Sequence, residues 1–266
     1  MWRSERRWLM LCLLALAGMA GAQPMPGRVI DLATGQALDE AGFTQRVAGA
    51  QRVLLGERHD VEADHAAQRW LLAALQRQRP QGALVLEMIA QERQARLQRV
   101  QRWLAKGNRA DGSRLQELLG WDSRWPWQAY GGLVQDACAA GIALHGGNLS
   151  RAEVDALLAS AEPVRFPGAD ARQRLSAVVL AQHAGAAPML EGMLAVQHAR
   201  DTRMAQVLAT SPAPALLVAG RWHVLRGTGV PGYLPPAVPA LVIALGAPGE
   251  SLDAADADLL WVSGNE

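Results

Sequence analysis

The sequence predicts an α/β fold in which a mainly parallel central sheet is flanked by helices and carries a polar site at the carboxyl ends of its strands. Two observations indicate this. Short apolar runs alternate with amphipathic segments of about ten to twenty residues, which is typical of strands joined by helical crossovers. Several runs end in acids or histidines, and open α/β sheets bind ligands beyond the carboxyl ends of their strands. Residues 23–266 are predicted to form a single domain.

The individual elements follow from the spacing of apolar residues. Strands are predicted at residues 28–32, 53–55, 83–87, 142–145, 214–219, 241–245 and 259–262. Helices are predicted where apolar residues recur at three-four spacing, at residues 39–48, 62–78, 90–104, 115–119, 127–140, 171–189 and 190–208, and from residue 152. The last two strands leave no room for a helical crossover between them, so we expect an antiparallel edge there.

The amino terminus has the pattern of a secretory signal peptide, which we assign to residues 1–22. Arg3, Arg6 and Arg7 precede an apolar stretch that is too short to span a bilayer, and small residues at 20–22 resemble a cleavage site. Cys12 lies inside the apolar stretch, so a lipid anchor is not expected. We therefore expect a periplasmic protein.

Charge and cysteine content exclude some classes of function. The whole chain carries a formal charge of +1, and removal of residues 1–22, with three arginines and one glutamate, would leave −1. Such a near-neutral chain gives no reason to expect nucleic-acid binding. Only Cys138 would remain after cleavage, so no disulfide can form within the mature chain.

Polar side chains lie at the carboxyl ends of four of the predicted strands. They are Glu57 with His59, Glu87, His145 with Asn148, and His223. Residues two apart in an extended strand point the same way, so Glu57 and His59 can face one site. In a parallel sheet all four strand ends open on the same side, and we therefore predict that these groups converge.

Two carboxylates and two imidazoles have two natural uses. Glu57, His59 and His223 could ligate a divalent transition metal such as manganese, zinc or iron that activates a water molecule. Without a metal, Glu57 or Glu87 could act as a general base while a histidine polarises a carbonyl group. The residues alone leave both alternatives open.

Other polar residues are placed where they could join the site. Gln197 and Asp201 interrupt the apolar stripe of helix 190–208, and His198 is next to them. His65 lies opposite the apolar stripe of helix 62–78, at a surface or site-edge position. Tyr130 follows three tryptophans within residues 121–130, which we interpret as a cap or a binding wall.

Taken together, these motifs resemble the ChaN-like haem-binding uptake family of the Tiki-related superfamily. The motifs are Gly56-Glu57-Arg58-His59-Asp60 followed by His65, Leu86-Glu87-Met88, Trp127-x-x-Tyr130, Asn148-Leu-Ser-Arg151, Gln197-x-x-x-Asp201-x-x-Met204-Ala205, and Gly220-x-x-His223 followed by Gly229-Val-Pro231. They occur in the family's order through most of the mature chain.

The resemblance implies haem binding in bacterial iron uptake, with haem held between two subunits by a tyrosine ligand. It also implies histidine and lysine contacts to the propionates and an outer-membrane haem receptor system as partner. We assign Tyr130 as the iron ligand, with His198 as a further haem contact; Tyr233 lies in a loop rich in glycine and proline. Lys106 is the only lysine in the chain, so an arginine is the alternative residue for the contact to the propionates.

The same resemblance supports a competing function. Tiki-like and erythromycin-esterase-like proteins carry the Gly-Glu-x-His, Glu and His residues as a hydrolytic site. A metal-dependent hydrolase that uses Glu57, His59, Glu87 and His223 therefore remains the alternative to a haem-binding protein.

Overall fold

The computed structural model describes residues 23–160, 162–183 and 185–264. The predicted signal peptide, residues 1–22, lies outside these ranges. The strands are β1 (Arg28–Asp31), β2 (Ala37–Leu38), β3 (Arg52–Glu57), β4 (Ala83–Ala90), β5 (Ala143–Asn148), β6 (Ala215–Gly220), β7 (Leu241–Gly246) and β8 (Leu259–Val262). The helices are α1 (Glu40–Ala48), α2 (Glu62–Gln78), α3 (Gln94–Ala105), α4 (Gly112–Leu119), α5 (Trp127–Ala139), α6 (Arg151–Ser160), α7 (Ala171–Gln182), α8 (Leu190–Thr210) and α9 (Arg221–Val224).

All of these strands form one sheet in the order β2-β1-β8-β7-β3-β6-β4-β5. The six strands from β8 to β5 run parallel, and β1 pairs antiparallel with both β2 and β8. The predicted mainly parallel sheet with an antiparallel edge is therefore confirmed.

The strands that form this edge differ from the prediction. We expected β7 and β8 to be antiparallel, but they pair parallel, with Ile243 opposite Leu259. Residues 247–258 return the chain to the start of β7 without a helix, and the Asp258 carboxylate accepts a hydrogen bond from the backbone N–H of Val242 at 2.7 Å. A loop of this length is enough for the crossover, so the prediction that a helix was required was wrong.

Both faces of the sheet are covered by helices. One face packs against α1 to α5 through a core that includes Phe43, Leu71, Tyr130 and Trp261. The other face packs mainly against α8, with Met204 and Leu208 in its core. Strands β3, β4, β6 and β7 are buried along nearly their whole length, which explains why they appear in the sequence as continuous apolar runs.

The carboxyl end of α8 is held by a buried arginine. The Arg52 guanidinium donates from Nε to the Leu208 carbonyl at 2.9 Å and from Nη2 to the Ser211 carbonyl at 2.9 Å. The last carbonyls of a helix have no partner within the helix, and a cation also favours this end of the helix dipole. Arg52 therefore links the carboxyl end of α8 to the start of β3 through hydrogen bonds.

We expect Arg52→Met to lower the free energy of unfolding by about 2–4 kcal/mol, because buried carbonyls would lose a charged donor. Urea unfolding measures this change. Arg77→Met, at an exposed position near the end of α2, is the matched control and should change stability by less than about 0.5 kcal/mol. Equal effects of the two substitutions would contradict the role given to Arg52.

Within the described ranges, we find no helix with the length and apolar character of a membrane span.

Candidate functional site

A cavity of about 840 Å³ opens at the carboxyl ends of β3, β4 and β6. Its floor includes all four residues of the predicted acid–imidazole set, and helices α6, α7 and α8 contribute apolar walls. The floor residues are Glu57, His59, Glu87 and His223. The predicted convergence is therefore found for the ends of β3, β4 and β6, which the parallel sheet brings to one edge. The predicted fourth strand end, with His145 and Asn148, does not line the cavity.

Glu57 is buried at the end of β3 and is the acceptor for several side chains. Its Oε1 accepts hydrogen bonds from the Tyr130 hydroxyl at 2.7 Å and from His59 Nδ1 at 2.8 Å. Gln68 donates to Oε2, and His65 Nε2 lies 3.5 Å from the same atom. Burial alone would raise the pKa of Glu57, but hydrogen bonds from His59 and Tyr130, together with the nearby His65 imidazole, outweigh burial and lower it. Glu57 is therefore a fixed carboxylate.

His59 is the exposed member of this group on the cavity floor. Its side chain is 40% exposed, and its ring meets the edge of Trp125 at a centroid distance of 5.0 Å. A carboxylate can only accept, so the Nδ1 atom that faces Glu57 carries a proton. Burial would lower the pKa of His59, but the hydrogen bond that its Nδ1 donates to Glu57 and the charges of Glu87 and Glu57 raise it. The imidazole is thus held in one orientation.

Gly220 provides the space that the His59 ring occupies. A Cβ atom at residue 220 would lie 2.8 Å from His59 Nε2 and 3.5 Å from Glu87 Oε2. The backbone of Gly220 has φ −56°, which other residues adopt freely. Glycine is therefore required here because a side chain would not fit, and not because of the backbone conformation. Any larger residue would displace the imidazole.

A second buried group surrounds His223. Its Nδ1 lies 2.6 Å from Asp201 Oδ1, and its Nε2 lies 3.4 Å from Glu87 Oε1. Gln197 Nε2 is 3.2 Å from Asp201 Oδ2, and the backbone N–H of Gly220 donates to Glu87 Oε2 at 2.8 Å. The polar residues that interrupted the apolar stripe of α8 therefore meet His223.

The charges in this second group are strongly coupled. Burial would lower the pKa of His223, but Glu87 and Asp201 raise it to about 10. Burial raises the pKa of Asp201 to about 6, although His223 acts in the opposite direction. For Glu87 the charge of His223 outweighs burial, and its pKa is lowered. His223 is therefore an imidazolium between two acids at neutral pH.

These side chains are not arranged as a metal site. Across the parts of the chain that the structure describes, no three or more His, Cys, Asp or Glu side chains are grouped so as to hold a metal ion. Of the predicted ligands, Glu57 Oε1 faces Tyr130 and His59, and His223 Nδ1 faces Asp201. The predicted metal set Glu57, His59 and His223 is therefore not assembled among these described residues.

Asn148 has a structural position next to the cavity. Its Nδ2 donates to the backbone carbonyl of Glu87 at 2.7 Å, and its Oδ1 accepts from the Leu149 N–H at 2.8 Å. Neither Asn148 nor His145 is among the residues that line the cavity. Strands β4 and β5 continue beyond the predicted ends, so Asn148 lies within β5 and joins β5 to β4.

Tyr130 is in the core and does not face a surface. The side chain is 0% exposed, and its hydroxyl donates to Glu57. Burial, together with the charge of Glu57, raises its pKa. A ligand must face the porphyrin and lose its proton, so this buried position disfavours the predicted role of Tyr130 as the iron ligand. The tryptophan-rich segment packs around Tyr130, with Trp125 at 5.8 Å and Trp121 at 6.3 Å between ring centroids.

Tyr233 is the tyrosine that lies near the surface. It ends a short 3-10 helix, Val230–Tyr233, and it is partly exposed. Its hydroxyl lies 3.0 Å from His198 Nδ1, and the Phe166 ring meets the His198 ring at 5.7 Å. Burial lowers the pKa of His198, whereas burial and the charge of Asp201 raise the pKa of Tyr233. From the sequence, His198 was predicted as a haem contact and Tyr233 was given no role; the structure brings the two side chains together.

Some site residues were missed from the sequence. Arg200 on α8 lines the cavity, and the Gln68 side chain donates a hydrogen bond to Glu57. Gln68 had a detectable signal, because it lies on the same helical stripe as Leu71 and Leu75 and is fully buried. Arg200 had no such signal, since arginines occur throughout the chain.

Comparisons with known proteins agree with this architecture. A family model described as haem-binding uptake, Tiki superfamily, ChaN matches residues 43–234. ChaN of Campylobacter jejuni, whose structure is described as showing cofacial heme binding, is 23% identical and superposes with a TM-score of 0.80, covering 90% of this chain and 98% of that chain. A search of curated proteins finds no match.

Two more distant structures share less of the fold. The type III effector HopBA1 is 15% identical, with a TM-score of 0.48 over 85% of this chain and 93% of that chain. The MARTX toxin effector domain RRSP from Vibrio vulnificus is 16% identical, with a TM-score of 0.45 over 88% of this chain and 39% of that chain. These two likenesses carry no functional argument. The family match, which spans well over half of the chain, shows that this protein belongs to the ChaN-like family of haem-binding uptake proteins in the Tiki superfamily.

Proposed function

We propose that this protein binds haem through Tyr233 and takes part in haem-iron uptake in the periplasm. The observation that carries the proposal is the position of the two tyrosines of the chain. Tyr130 is fully buried, whereas Tyr233 is partly exposed and its hydroxyl contacts His198. A phenolate is a suitable ligand for ferric haem, so Tyr233 replaces Tyr130 as the proposed iron ligand.

The surroundings of Tyr233 suit such a ligand. A phenol must lose its proton to bind ferric iron, and the His198 imidazole can accept that proton because its Nδ1 is within hydrogen-bond distance. The aromatic side chain of Phe166 provides an apolar contact beside His198. Lys106 follows α3, which packs on the other face of the sheet from Tyr233, so we assign the propionate contacts to arginine.

We further propose that haem links two copies of the chain. The support is the fold shared with ChaN of Campylobacter jejuni, for which cofacial haem binding is described. A signal-peptide pattern at residues 1–22 supports export to the periplasm, where an outer-membrane haem receptor system would be the partner that supplies haem.

A haemin titration tests the ligand assignment. We expect saturable binding with the visible spectrum of tyrosinate-ligated ferric haem, and we expect Tyr233→Phe to weaken binding by about 100-fold or more, which corresponds to about 2.7 kcal/mol. Tyr130→Phe is the matched control; it should leave the affinity for haem nearly unchanged and lower the free energy of unfolding by about 1–2 kcal/mol through loss of its bond to Glu57. The opposite pattern would indicate that Tyr130 is the iron ligand. The absence of a saturable band would refute haem binding.

Sedimentation velocity tests the proposed dimer. The wild-type protein should shift from one copy to two when haemin is added, and Tyr233→Phe should stay a single copy. A dimer that forms equally well without haemin, or in Tyr233→Phe, would contradict a haem-linked assembly.

A further inference from the structure

The solvent-facing side of α3 and of the turn that follows it is strongly cationic. Residues 94–110 contain five basic residues and no acid. The apolar side of α3 is already covered, because Leu97 and Val100 are buried in the core. All five basic residues are exposed, and together with Trp103 they form what we call the α3 surface: Arg96, Arg99, Arg102, Lys106 and Arg109.

Stabilisation of the fold accounts for only part of this charge. Arg96 donates to the carbonyls of Glu117 at 2.8 Å and Leu118 at 2.6 Å, so it holds the carboxyl end of α4. Arg102 and Lys106 are four positions apart, a spacing at which like charges destabilise a helix. An anion outside the chain would relieve this repulsion. Within the described ranges, four side chains of the α3 surface make neither a hydrogen bond nor an ion pair: Arg99, Arg102, Lys106 and Arg109.

Trp103 lies among these cations and is itself exposed. Among the described residues it is the one aromatic side chain that joins Leu180 and Met189 as a large exposed apolar group, with 38% of its surface exposed. It follows Arg99 by four positions and precedes Lys106 by three, so all three lie on one side of the helix. Tryptophan combines an apolar body with a polar N–H, which suits the headgroup level of a lipid bilayer.

A cavity of about 540 Å³ lies beside Trp103, between α3 and α4. Arg114 in its wall is paired with Glu117, whereas Arg99 is left to bind a phosphate oxygen. The apolar part of the wall can contact the glycerol and the first methylene groups of the same lipid. Only cationic and apolar side chains line this cavity: Arg96, Arg99, Val100, Trp103, Arg114 and Leu118.

We infer that the α3 surface docks this protein on bilayers that contain anionic phospholipids. The cations contact lipid phosphates, and the Trp103 ring enters the headgroup region. A second copy of the chain does not suit this surface, because two surfaces of the same sign repel each other. The docking is peripheral, since the apolar side of α3 stays in the core. Tyr233 packs on the other face of the sheet, so docking leaves it uncovered.

Co-sedimentation with vesicles tests this inference, with haem-free protein that was purified after export and shown by its mass to lack residues 1–22. The mass must be checked because an uncleaved apolar segment would itself bind lipid. We expect binding to vesicles of equimolar phosphatidylglycerol and phosphatidylcholine, and binding at least about tenfold weaker to phosphatidylcholine alone. Molar sodium chloride, in which the Debye length is about 3 Å, should abolish the binding.

Two triple variants separate the position of the charges from their number. The first should weaken binding to the anionic vesicles by about 100-fold, because it removes three cations from the membrane contact; it combines Arg99→Gln, Arg102→Gln and Lys106→Gln. The matched control removes the same net charge from exposed positions on other parts of the chain and should leave binding nearly unchanged; it combines Arg46→Gln, Arg77→Gln and Arg165→Gln.

Substitutions of Trp103 test the contact with lipid directly. Trp103→Gln should weaken binding by about tenfold while thermal unfolding stays near that of the wild type, whereas Leu180→Gln, at another exposed apolar residue, should have no effect. Lipids brominated in the acyl chain quench tryptophan fluorescence at the bilayer. The bound wild-type protein should therefore lose fluorescence, and bound Trp103→Phe should not.

The inference is overturned if the wild-type protein does not bind the anionic vesicles, if the two triple variants bind them equally, or if brominated lipid quenches the wild type and Trp103→Phe alike. Binding to duplex DNA without binding to vesicles would identify a different partner and would also overturn it. Tyr233→Phe should bind vesicles as the wild type does, so failure of haem binding and failure of membrane docking are separate results.

Discussion

Glu57→Ala is expected to lower the free energy of unfolding by about 3–5 kcal/mol, the range for breaking a buried ionic network by removing one partner. The Tyr130 hydroxyl, His59 Nδ1 and the Gln68 amide would lose their common acceptor. Tyr130 and Gln68 are fully buried, so water cannot replace the carboxylate without opening the core between α2 and α5. Urea denaturation followed by tryptophan fluorescence measures the loss.

Asp136→Ala is the matched control for this prediction. Like Glu57, Asp136 is a carboxylate that accepts side-chain hydrogen bonds, and both come from Arg69. This pair is largely exposed, with the Asp136 side chain 43% and the Arg69 side chain 53% exposed. Exposed ion pairs contribute about 0–1 kcal/mol, so little stability should be lost. If Glu57→Ala cost no more than Asp136→Ala, Glu57 would not be the centre of a stabilising network.

The free energy of unfolding of the wild-type protein is expected to fall as the pH rises from about 7 to about 9.5. His223 has an ordinary pKa of 6.5 when unfolded and a pKa of about 10 when it lies between Glu87 and Asp201. Below pH 6.5 both states bind the proton, and the stabilisation from this site is fully present. Between the two pKa values the folded state alone keeps the proton, so stability is lost by up to about 1.4 kcal/mol for each pH unit.

Other groups do not produce the same dependence. The pKa of Asp201 is also raised, to about 6, so its contribution is lost at lower pH, before this window begins. His59 has a raised pKa and acts in the same direction as His223. Denaturation curves at several pH values should therefore be compared with those of His223→Gln, whose stability should be lower at pH 7 and much less dependent on pH. A slope that is the same in both proteins would show that His223 is not the titrating group.

Much of the site could be predicted because it depends on strand direction and side-chain alternation. Glu57 ends the buried strand β3, and His59 lies two residues further on. Glu87 lies in the second half of β4, and His223 lies three residues after β6, which pairs in parallel with β4. Parallel strands bring such ends to one edge whatever the details of packing. Asp201 was found for a related reason, because a polar residue in the apolar stripe of a helix must meet a buried polar partner.

The direction of β8 could not be predicted in this way. The sequence marks Leu259–Val262 as a strand through its apolar run, but an apolar run has no direction. That direction depends on the path of residues 247–258, which is fixed by contacts such as the hydrogen bond from Val242 to Asp258.

The tyrosines show most clearly what each level of structure determines. The sequence by itself indicated all of the strands except the two-residue β2, the helical faces and the family, because these follow from local spacing and from motifs in order. Only the tertiary structure decided that Tyr130 is a buried donor to Glu57, 73 positions away, and that Tyr233 lies beside His198 near the surface. The physical reason is that exposure and hydrogen-bond partners depend on which distant segments pack together, and local periodicity does not contain that information.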